Sequence, residues 1–155
     1  KLSAPMGRRR TEDAMRAALP VDLPVLEVRM VDDRHPAPMA MVRASDYEIT
    51  LSGETAAATL DAAEEFLRRE SVMAVRKTKS GEREVDIRPM ALLLEREGDV
   101  LSARLMLTEK DTLKPDLLVR ALAEIAGAEV PEMRIHRRCL LGEDESGALK
   151  PLMEL

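Results

Sequence analysis

Aromatic side chains are almost absent from this chain of 155 residues. Tyr47 and Phe66 are the only aromatic residues, and there is no tryptophan. Proteins that read single-stranded nucleic acid usually stack bases on several aromatic rings, so the composition argues against a broad stacking platform. The core must instead be built from Leu, Val, Ala and the 10 methionines.

Cysteine and histidine are also scarce. The single cysteine, Cys139, excludes an internal disulfide, a cysteine-rich zinc site and an iron–sulfur cluster held only by cysteines of this chain. His35 and His136 lie far apart and match no HxxxH or HExxH spacing. We therefore predict no metal site and no cofactor in this chain, although a purely carboxylate site would leave no spacing signature.

Long apolar runs are missing as well. No run approaches the roughly 20 residues of a membrane helix, and the first residues lack the apolar stretch of a signal peptide. We expect a cytoplasmic protein with no membrane partner. The formal net charge of −5 opposes strong sequence-independent RNA binding by the whole chain, although basic residues can still gather on one face.

Proline and charge patterns divide the chain into parts. We predict a truncated first α+β domain over residues 1–35, a linker over 36–43, a second α+β domain over 44–141 and a partly mobile tail over 142–155. In the first part, Thr11 is expected to cap a helix. Residues 26–30 alternate apolar and polar side chains, which predicts a strand.

The second part alternates strand and helix patterns. A helix capped by Ser52 is predicted to run to about Arg69, and another from Pro115 to Gly127. Strands are predicted over residues 47–51, 72–79, 82–95 (with a bulge or edge position at Pro89), 100–107 and 133–141, with tight turns at 80–81 and 98–99. This order predicts an α+β fold with a ferredoxin-like βαββαβ unit, an added hairpin strand, and a mostly antiparallel sheet with helices on one face.

The densest group of charges covers residues 76–89, with five basic and three acidic side chains. A turn at 80–81 would oppose Lys79 to Glu82 and Lys77 to Glu84, which predicts a solvated hairpin face with ion pairs of about 0.2–1 kcal/mol each. The alternative is a surface for an anionic ligand such as RNA phosphate. Its candidate residues are Lys77, Lys79, Arg83 and Arg88.

Other candidates are fewer. Asp86 and Arg88 lie two residues apart, so they either brace each other or hold a ligand jointly, as the only candidates for catalysis. A second basic cluster, formed by Arg134, Arg137 and Arg138 around His136, is either ordinary strand solvation or an extension of the hairpin surface. Lys114, directly before the last helix, completes the candidate ligand-binding residues.

Residues between Ala44 and Ile125 resemble a known bacterial family. The most specific part covers residues 77–89, read as Lys-x-Lys-x-Gly-x-Arg-x-Val-Asp-Ile-Arg-Pro, with further matches at 45–49 and 113–118. The chain resembles the radical SAM-linked protein family, a domain family of unknown function that is fused to radical SAM proteins or encoded beside them.

The resemblance implies a non-catalytic accessory domain that docks a radical SAM protein and presents its substrate. The iron–sulfur cluster and S-adenosylmethionine would then belong to that partner alone. Family members are often encoded near a ribonuclease and ribosomal proteins, which suggests tRNA or ribosomal RNA as substrate. The alternatives are an enzyme acting on RNA or a small anion through Asp86 and Arg88, and a purely structural interaction module.

The first domain departs from the family pattern. Residues 1–7 and 19–27 resemble family segments, but the S-H-L-D and G-F-N-P-H-P segments and a glutamate-rich strand before Arg8 are missing. We therefore expect the chain to begin inside the first domain and to lack some internal residues there.

Overall fold

A computed structural model describes residues 6–78 and 81–155 of the chain. The chain divides into two units, Lys1–Pro36 and Ala37–Leu155. The candidate residues of the predicted hairpin and of the second basic cluster all belong to the second unit. Lys79 and Ser80 lie outside the described residues.

The first unit contains one helix, α1 (Arg8–Ala18), in its described part. Gly7 is the N-cap, so the prediction that Thr11 caps this helix is wrong. The Thr11 hydroxyl lies inside the first turn instead and donates to the Gly7 carbonyl at 3.2 Å. Met15 is 42% exposed, and none of the helix residues is buried.

The predicted strand over residues 26–30 is also wrong. This segment has no regular secondary structure, and Leu26 and Met30 are 89% and 66% exposed. Within this segment Arg29 contacts Glu27, and the Arg29 Nε and Glu27 Oε1 atoms are 2.6 Å apart. An alternating pattern makes a strand only where a neighbouring strand receives its hydrogen bonds, and the described part of this unit supplies none.

The second unit contains the remaining elements. A short helix α2 (Pro38–Met41) precedes strand β1 (Val42–Ser52) and helix α3 (Ala56–Arg68). The later elements are β2 (Met73–Thr78), β3 (Gly81–Asp86), β4 (Ala91–Glu97), β5 (Val100–Met106), α4 (Pro115–Ala126), β6 (Glu132–Glu143) and β7 (Leu149–Pro151). Short 3-10 turns occupy Arg88–Met90 and Leu152–Glu154.

Five strands form an antiparallel sheet in the order β4-β5-β1-β6-β7, and β2 pairs with β3 as a separate hairpin. Without the hairpin and β7, the path β1-α3-β4-β5-α4-β6 with spatial order β4-β5-β1-β6 is the split βαβ arrangement of ferredoxin-like units. The predicted α+β class, with its mostly antiparallel sheet, is therefore confirmed.

The helices α3 and α4 pack against each other and share one core with one face of the sheet. Fully buried side chains in this core include Ile49 and Leu101 from the sheet, Phe66 from α3, and Leu118 and Leu122 from α4. The core is aliphatic, as the composition predicts, and its one large ring, Phe66, is completely enclosed. The predicted filling by methionine is wrong, because no methionine of the described ranges is fully buried, and only Met90 and Met133 pack partly buried against this core. The predicted helices on one face are thus confirmed.

Local signals explain where the two long helices begin and end. Pro115 occupies the first turn of α4, and Gly127 ends the helix in the left-handed region at φ 64°. In α3 the N-cap is Thr55, so the prediction of Ser52 is wrong, because Ser52 is the last residue of β1. The Thr59 hydroxyl donates to the Thr55 carbonyl at 2.9 Å inside the first turn.

The predicted long strand over residues 82–95 is two strands in two sheets. The first strand, β3, ends at Asp86. The chain then turns through Arg88–Met90 and continues from Ala91 as β4, which pairs with β5. Pro89 lies in the 3-10 turn rather than at a bulge within one strand. Proline has no N–H to donate to a ladder, so the chain uses this position to leave one sheet and enter the next.

The residues predicted as a tail extend the sheet. Gly142 and Glu143 continue β6, and β7 pairs with it. The connecting turn is organised by Asp144, whose Oδ1 accepts the Ala148 N–H at 3.0 Å and whose Oδ2 lies 2.7 Å from the Lys150 ammonium. That lysine is the main cause of the lowered pKa of Asp144.

The segment after β7 folds back over Gly142. A Cβ atom on Gly142 would lie 2.5 Å from Leu155 Cδ1, 2.9 Å from Leu152 Cδ2 and 3.0 Å from the Met41 carbonyl oxygen. Every real side chain at this position would therefore displace its neighbours. The absence of a side chain lets the last turn pack directly on the strand.

We expect Gly142→Ser to lower the free energy of unfolding by about 1–3 kcal/mol, the usual cost of overpacking a filled site. The matched control is Gly7→Ser, where a new Cβ meets nothing within 4 Å and serine is a favoured N-cap. Urea unfolding followed by circular dichroism measures both variants. Equal stability of the two would contradict the close packing at Gly142.

Candidate functional site: a basic groove beside the hairpin

The half of the motif that reads Val-Asp-Ile-Arg-Pro lies at the base of the hairpin. Ile87 is fully buried, and Val85 packs against the same core. The other half lies on the exposed hairpin itself. Gly81 begins β3 at φ 127°, a conformation that residues with a side chain rarely adopt, which accounts for a glycine at this place in the motif.

The Asp86 carboxylate binds backbone N–H groups. Its Oδ1 accepts hydrogen bonds from Val72 N at 2.9 Å and from Arg88 N at 3.1 Å. The bond from Val72 is the largest cause of the lowered pKa of Asp86, which keeps the group ionised. Asp86 therefore links the residue before β2 to the residues after β3 at the base of the hairpin, and its Oδ1 is already bonded to N–H groups of the chain.

The Arg88 guanidinium binds carbonyl groups near the end of α3. Nη2 donates to the Leu67 carbonyl at 3.0 Å, Nε donates to the same oxygen at 3.3 Å, and Nη1 reaches the Ala91 carbonyl at 3.5 Å. Its Cζ lies 5.8 Å from the centroid of the Phe66 ring. Asp86 and Arg88 are joined through the Arg88 N–H, and together they form what we call the hairpin clamp.

The strand register differs by two residues from the predicted register. Lys77 lies opposite Glu82 rather than Glu84, with its Nζ 3.8 Å from the Glu82 Oε1. The predicted partner of Glu82, Lys79, lies outside the described residues. The register also places Arg76 directly opposite Arg83. Like charges directly opposite each other destabilise a hairpin, so this pair favours a bound anion.

A groove lies between the hairpin and the start of α4. It has a volume of about 590 Å³. Its lining residues are Val75, Arg76, Lys77, Thr112, Lys114, Asp116, Leu117 and Arg120. We call it the basic groove, because four of these residues are cationic and one is a carboxylate.

Two of the four cations were predicted as ligand-binding residues, Lys77 and Lys114. Arg76 and Arg120 were missed. Arg120 is one helical turn after Asp116, and its Nη2 lies 3.9 Å from the Asp116 Oδ2. The i, i+4 spacing with Asp116 was the available signal, since helical periodicity places Asp116 and Arg120 on one side of α4.

The four cations of the groove differ in whether they have a carboxylate partner. Neither Arg76 nor Lys114 has an ion pair with any residue in ranges 6–78 and 81–155. Lys114 is the N-cap of α4, whose N-terminal end carries partial positive charge. The groove therefore combines unpaired cations with a favourable helix end, which is the chemistry of a phosphate or carboxylate site.

Among the described hairpin candidates, Arg83 and Arg88 do not line the groove. Arg83 faces Arg76 across the hairpin and is exposed. Arg88 is turned into the clamp described above. Thus the structure brings Lys77 and Lys114 together, adds Arg76 and Arg120, and leaves Arg83 at the margin.

The second basic cluster lies elsewhere. Arg134 and His136 are opposite Thr50 and Glu48 on β1, on the sheet face that is turned away from the helices. Arg138 lies 3.7 Å from the Glu48 carboxylate. Arg137 is opposite Tyr47, on the other face. None of these residues lines the basic groove, and the extension of the hairpin surface by this cluster stays a prediction.

The sheet face away from the helices carries charges of both signs. Arg104 makes a two-pronged contact with Asp46, with Nε–Oδ1 and Nη2–Oδ2 distances of 2.7 and 2.9 Å. The hydrogen bond to Asp46 is the main cause of the raised pKa of Arg104. Neither aromatic residue lies open on this face, since Phe66 is buried and Tyr47 packs against the core. Base stacking on this face has no ring to use.

No group of three or more His, Cys, Asp or Glu side chains that could hold a metal occurs within residues 6–78 and 81–155. Cys139 is a free, partly buried thiol whose Sγ lies 3.3 Å from the Leu140 carbonyl oxygen. Among the helices of the described ranges, none has the length and apolarity required to cross a bilayer.

We expect Asp86→Ala to reduce the free energy of unfolding by about 1–3 kcal/mol, because two backbone N–H groups lose their acceptor. The folded-state pKa is depressed, so the stabilisation by the carboxylate is present above the unfolded pKa of about 4 and is lost as the pH falls through the folded pKa. In urea unfolding, the free energy of unfolding of Asp86→Ala should therefore fall below that of the wild type by a smaller amount at pH 2 than at pH 7.

Glu84→Ala is the matched control for this prediction, since Glu84 is an exposed carboxylate on the same strand. It should change stability by less than about 0.5 kcal/mol at either pH. A deficit for Asp86→Ala no larger than that of the control would show that the clamp does not depend on this carboxylate.

Comparison with known proteins places most of this chain in one family. The family described as "Uncharacterized protein conserved in bacteria" (DUF2344) matches residues 1–115. No curated protein and no solved structure matches the chain significantly. The matched span includes the whole hairpin, the clamp and Lys114, and it ends at the first residue of α4.

Proposed function

The chain belongs to DUF2344, a family of uncharacterized proteins conserved in bacteria, and we propose that it is a non-catalytic accessory domain. In this proposal its basic groove holds the phosphate backbone of a folded RNA, and a radical SAM partner carries out the chemistry. The observation that carries the proposal is the convergence of Arg76, Lys77, Lys114 and Arg120 on one groove.

The arrangement of the cations supports a polyanion as the ligand. Two come from strand β2 and two from the start of α4, so the charges border both sides of a groove of about 590 Å³. Lys and Arg side chains that contact successive phosphates release counterions, which is the main source of affinity for nucleic acids. The net charge of −5 makes this attraction local to the groove rather than general.

The lining favours the RNA backbone over the bases. Val75 and Leu117 are the apolar side chains of the groove, and no aromatic residue lines it. Single-stranded RNA is usually held by stacking on rings, whereas folded RNA is contacted through phosphates and 2′-hydroxyls. We therefore propose a structured RNA, tRNA or ribosomal RNA, as the substrate that is presented.

The radical SAM partner is proposed from the resemblance of residues 44–125. The chain has a single cysteine, Cys139, so a three-cysteine cluster would belong to the partner, together with S-adenosylmethionine. An enzyme acting through Asp86 and Arg88 is the weaker alternative, because the Asp86 Oδ1 and the Arg88 guanidinium are bonded to backbone groups of the chain itself.

We expect the double variant Arg76→Glu/Lys114→Glu to bind fluorescently labelled tRNA at least about tenfold more weakly than the wild type, a loss of about 1.4 kcal/mol. Fluorescence anisotropy at 50 mM salt measures the affinity. The matched control is Arg134→Glu/Arg137→Glu, which makes the same charge change outside the groove. Equal loss in both double variants would refute the groove as the RNA site.

The salt dependence gives a second prediction. Four phosphate contacts predict a slope of about −3 for the logarithm of the association constant against the logarithm of the salt concentration. The slope for Arg76→Glu/Lys114→Glu should be less negative than that for the wild type by about 1–2. If the affinity of the wild type for tRNA does not change with the salt concentration, the proposal of phosphate binding is wrong.

The docking of the partner is tested by co-purification. The full-length protein is expressed together with a bacterial radical SAM protein, and both the partner and bound RNA are identified in the eluate. Recovery of both supports an accessory domain. Recovery of neither would overturn it, and recovery of protein alone would favour a structural interaction module.

A further inference from the structure

One edge of the main sheet lacks a partner strand over most of its length. Strand β6 has 12 residues and pairs with β1 from Glu132 to Gly142. On its other side, β7 pairs only with Leu141, Gly142 and Glu143. Within the described ranges, the outer edge of residues 132–140 therefore has no strand beside it.

The hydrogen bonding of β1 shows which backbone groups of β6 face outward. The Leu51 N–H donates to the Asp99 carbonyl at 3.0 Å, so Leu51 bonds toward β5. In an antiparallel sheet, successive residues of a strand bond to opposite neighbours. Thr50 and Glu48 therefore bond toward β6.

The register extends this assignment to β6. Arg134 and His136 lie opposite Thr50 and Glu48, so their backbone groups are used by β1. Met133 and Ile135 alternate with them and direct their N–H and C=O groups to the free edge. These two residues offer donors and acceptors at the spacing of a β-ladder.

The side chains along this edge are basic. Residues 134–138 are all exposed and contain three arginines and a histidine, with no acidic residue among them. Arg138 has an ion pair with Glu48, whereas Arg134 and Arg137 have none with residues in the described ranges. Ile135 is 40% exposed, which adds an apolar contact. A partner with alternating acidic and apolar side chains would complement this edge.

We propose that an extended acidic segment of a partner protein adds to β6 as an extra strand along residues 132–137. Main-chain hydrogen bonds would provide the affinity, and the arginines would select acidic side chains. The irregular register between Asp46 and Tyr47, opposite Cys139 and Arg137, would end the added ladder at Arg137.

A peptide fits this edge better than RNA does. Backbone groups that repeat every second residue match another peptide chain, whereas phosphates have no N–H donors to offer. Arginines at an edge also discourage pairing between copies of this chain, which leaves the edge open to an acidic strand.

The probe is an acetylated and amidated peptide of sequence Glu-Val-Glu-Val-Glu-Val-Glu, titrated into the ¹⁵N-labelled full chain. We expect the largest amide shifts at Met133 and Ile135. Ile135→Pro removes an outward N–H without disturbing the ladder with β1, and it should weaken peptide binding at least about tenfold. Ile135→Ala keeps the N–H and should change the affinity by less than about threefold.

Other results would overturn the proposal. They are an absence of shifts in β6 at millimolar peptide, equal binding by the proline and alanine variants, or shifts of the β6 amides with poly(U) RNA but not with the peptide. If the proline variant does not fold, Arg134→Glu/Arg137→Glu replaces it, and unchanged peptide affinity would overturn the proposal equally. The tRNA experiment on the groove is independent of all these outcomes.

Discussion

The hydrogen bonds of Asp86 and Arg88 attach the hairpin to the rest of the second unit, and the groove depends on that attachment. The β2–β3 hairpin is a separate sheet of two strands, which is marginally stable by itself. Asp86 holds Val72 at its base, Arg88 holds the Leu67 carbonyl at the end of α3, and Ile87 is buried between them. Arg76 and Lys77 thereby keep a defined position beside α4.

Two of the groove cations have no carboxylate partner in the described ranges, unlike Arg104, which pairs with Asp46, and Arg68, which pairs with Glu64 one helical turn away. These two cations are Arg76 and Lys114, and Arg76 also faces another arginine across the hairpin. Like charges directly opposite each other destabilise a hairpin, and a bound anion would relieve that repulsion. The arrangement therefore supports an anionic ligand.

Much of the fold could be predicted because apolar side chains recur about every 3.6 residues in a helix and every second residue in a strand. Pro115 and Gly127 mark the ends of α4, and the order of the strands leads to the ferredoxin-like arrangement. The two wrong strand predictions share one cause. Residues 26–30 and 82–95 show alternation, but alternation does not specify which neighbouring strand receives the hydrogen bonds. The same reason explains the register of Lys77, where a shift by two residues keeps the side chains on the same face and exchanges Glu84 for Glu82.

The sequence by itself determined an aliphatic core, the absence of aromatic rings for stacking, the types of most elements in the second unit, and two of the four groove cations. Only the tertiary structure decided that Asp86 and Arg88 bond to the backbone in the hairpin clamp. It also decided that Arg76 and Arg120 line one groove with Lys77 and Lys114, and that the arginines of β6 do not line it. The physical reason is that periodicity acts over a few residues. The meeting of a hairpin with a distant helix depends on packing summed over the whole unit.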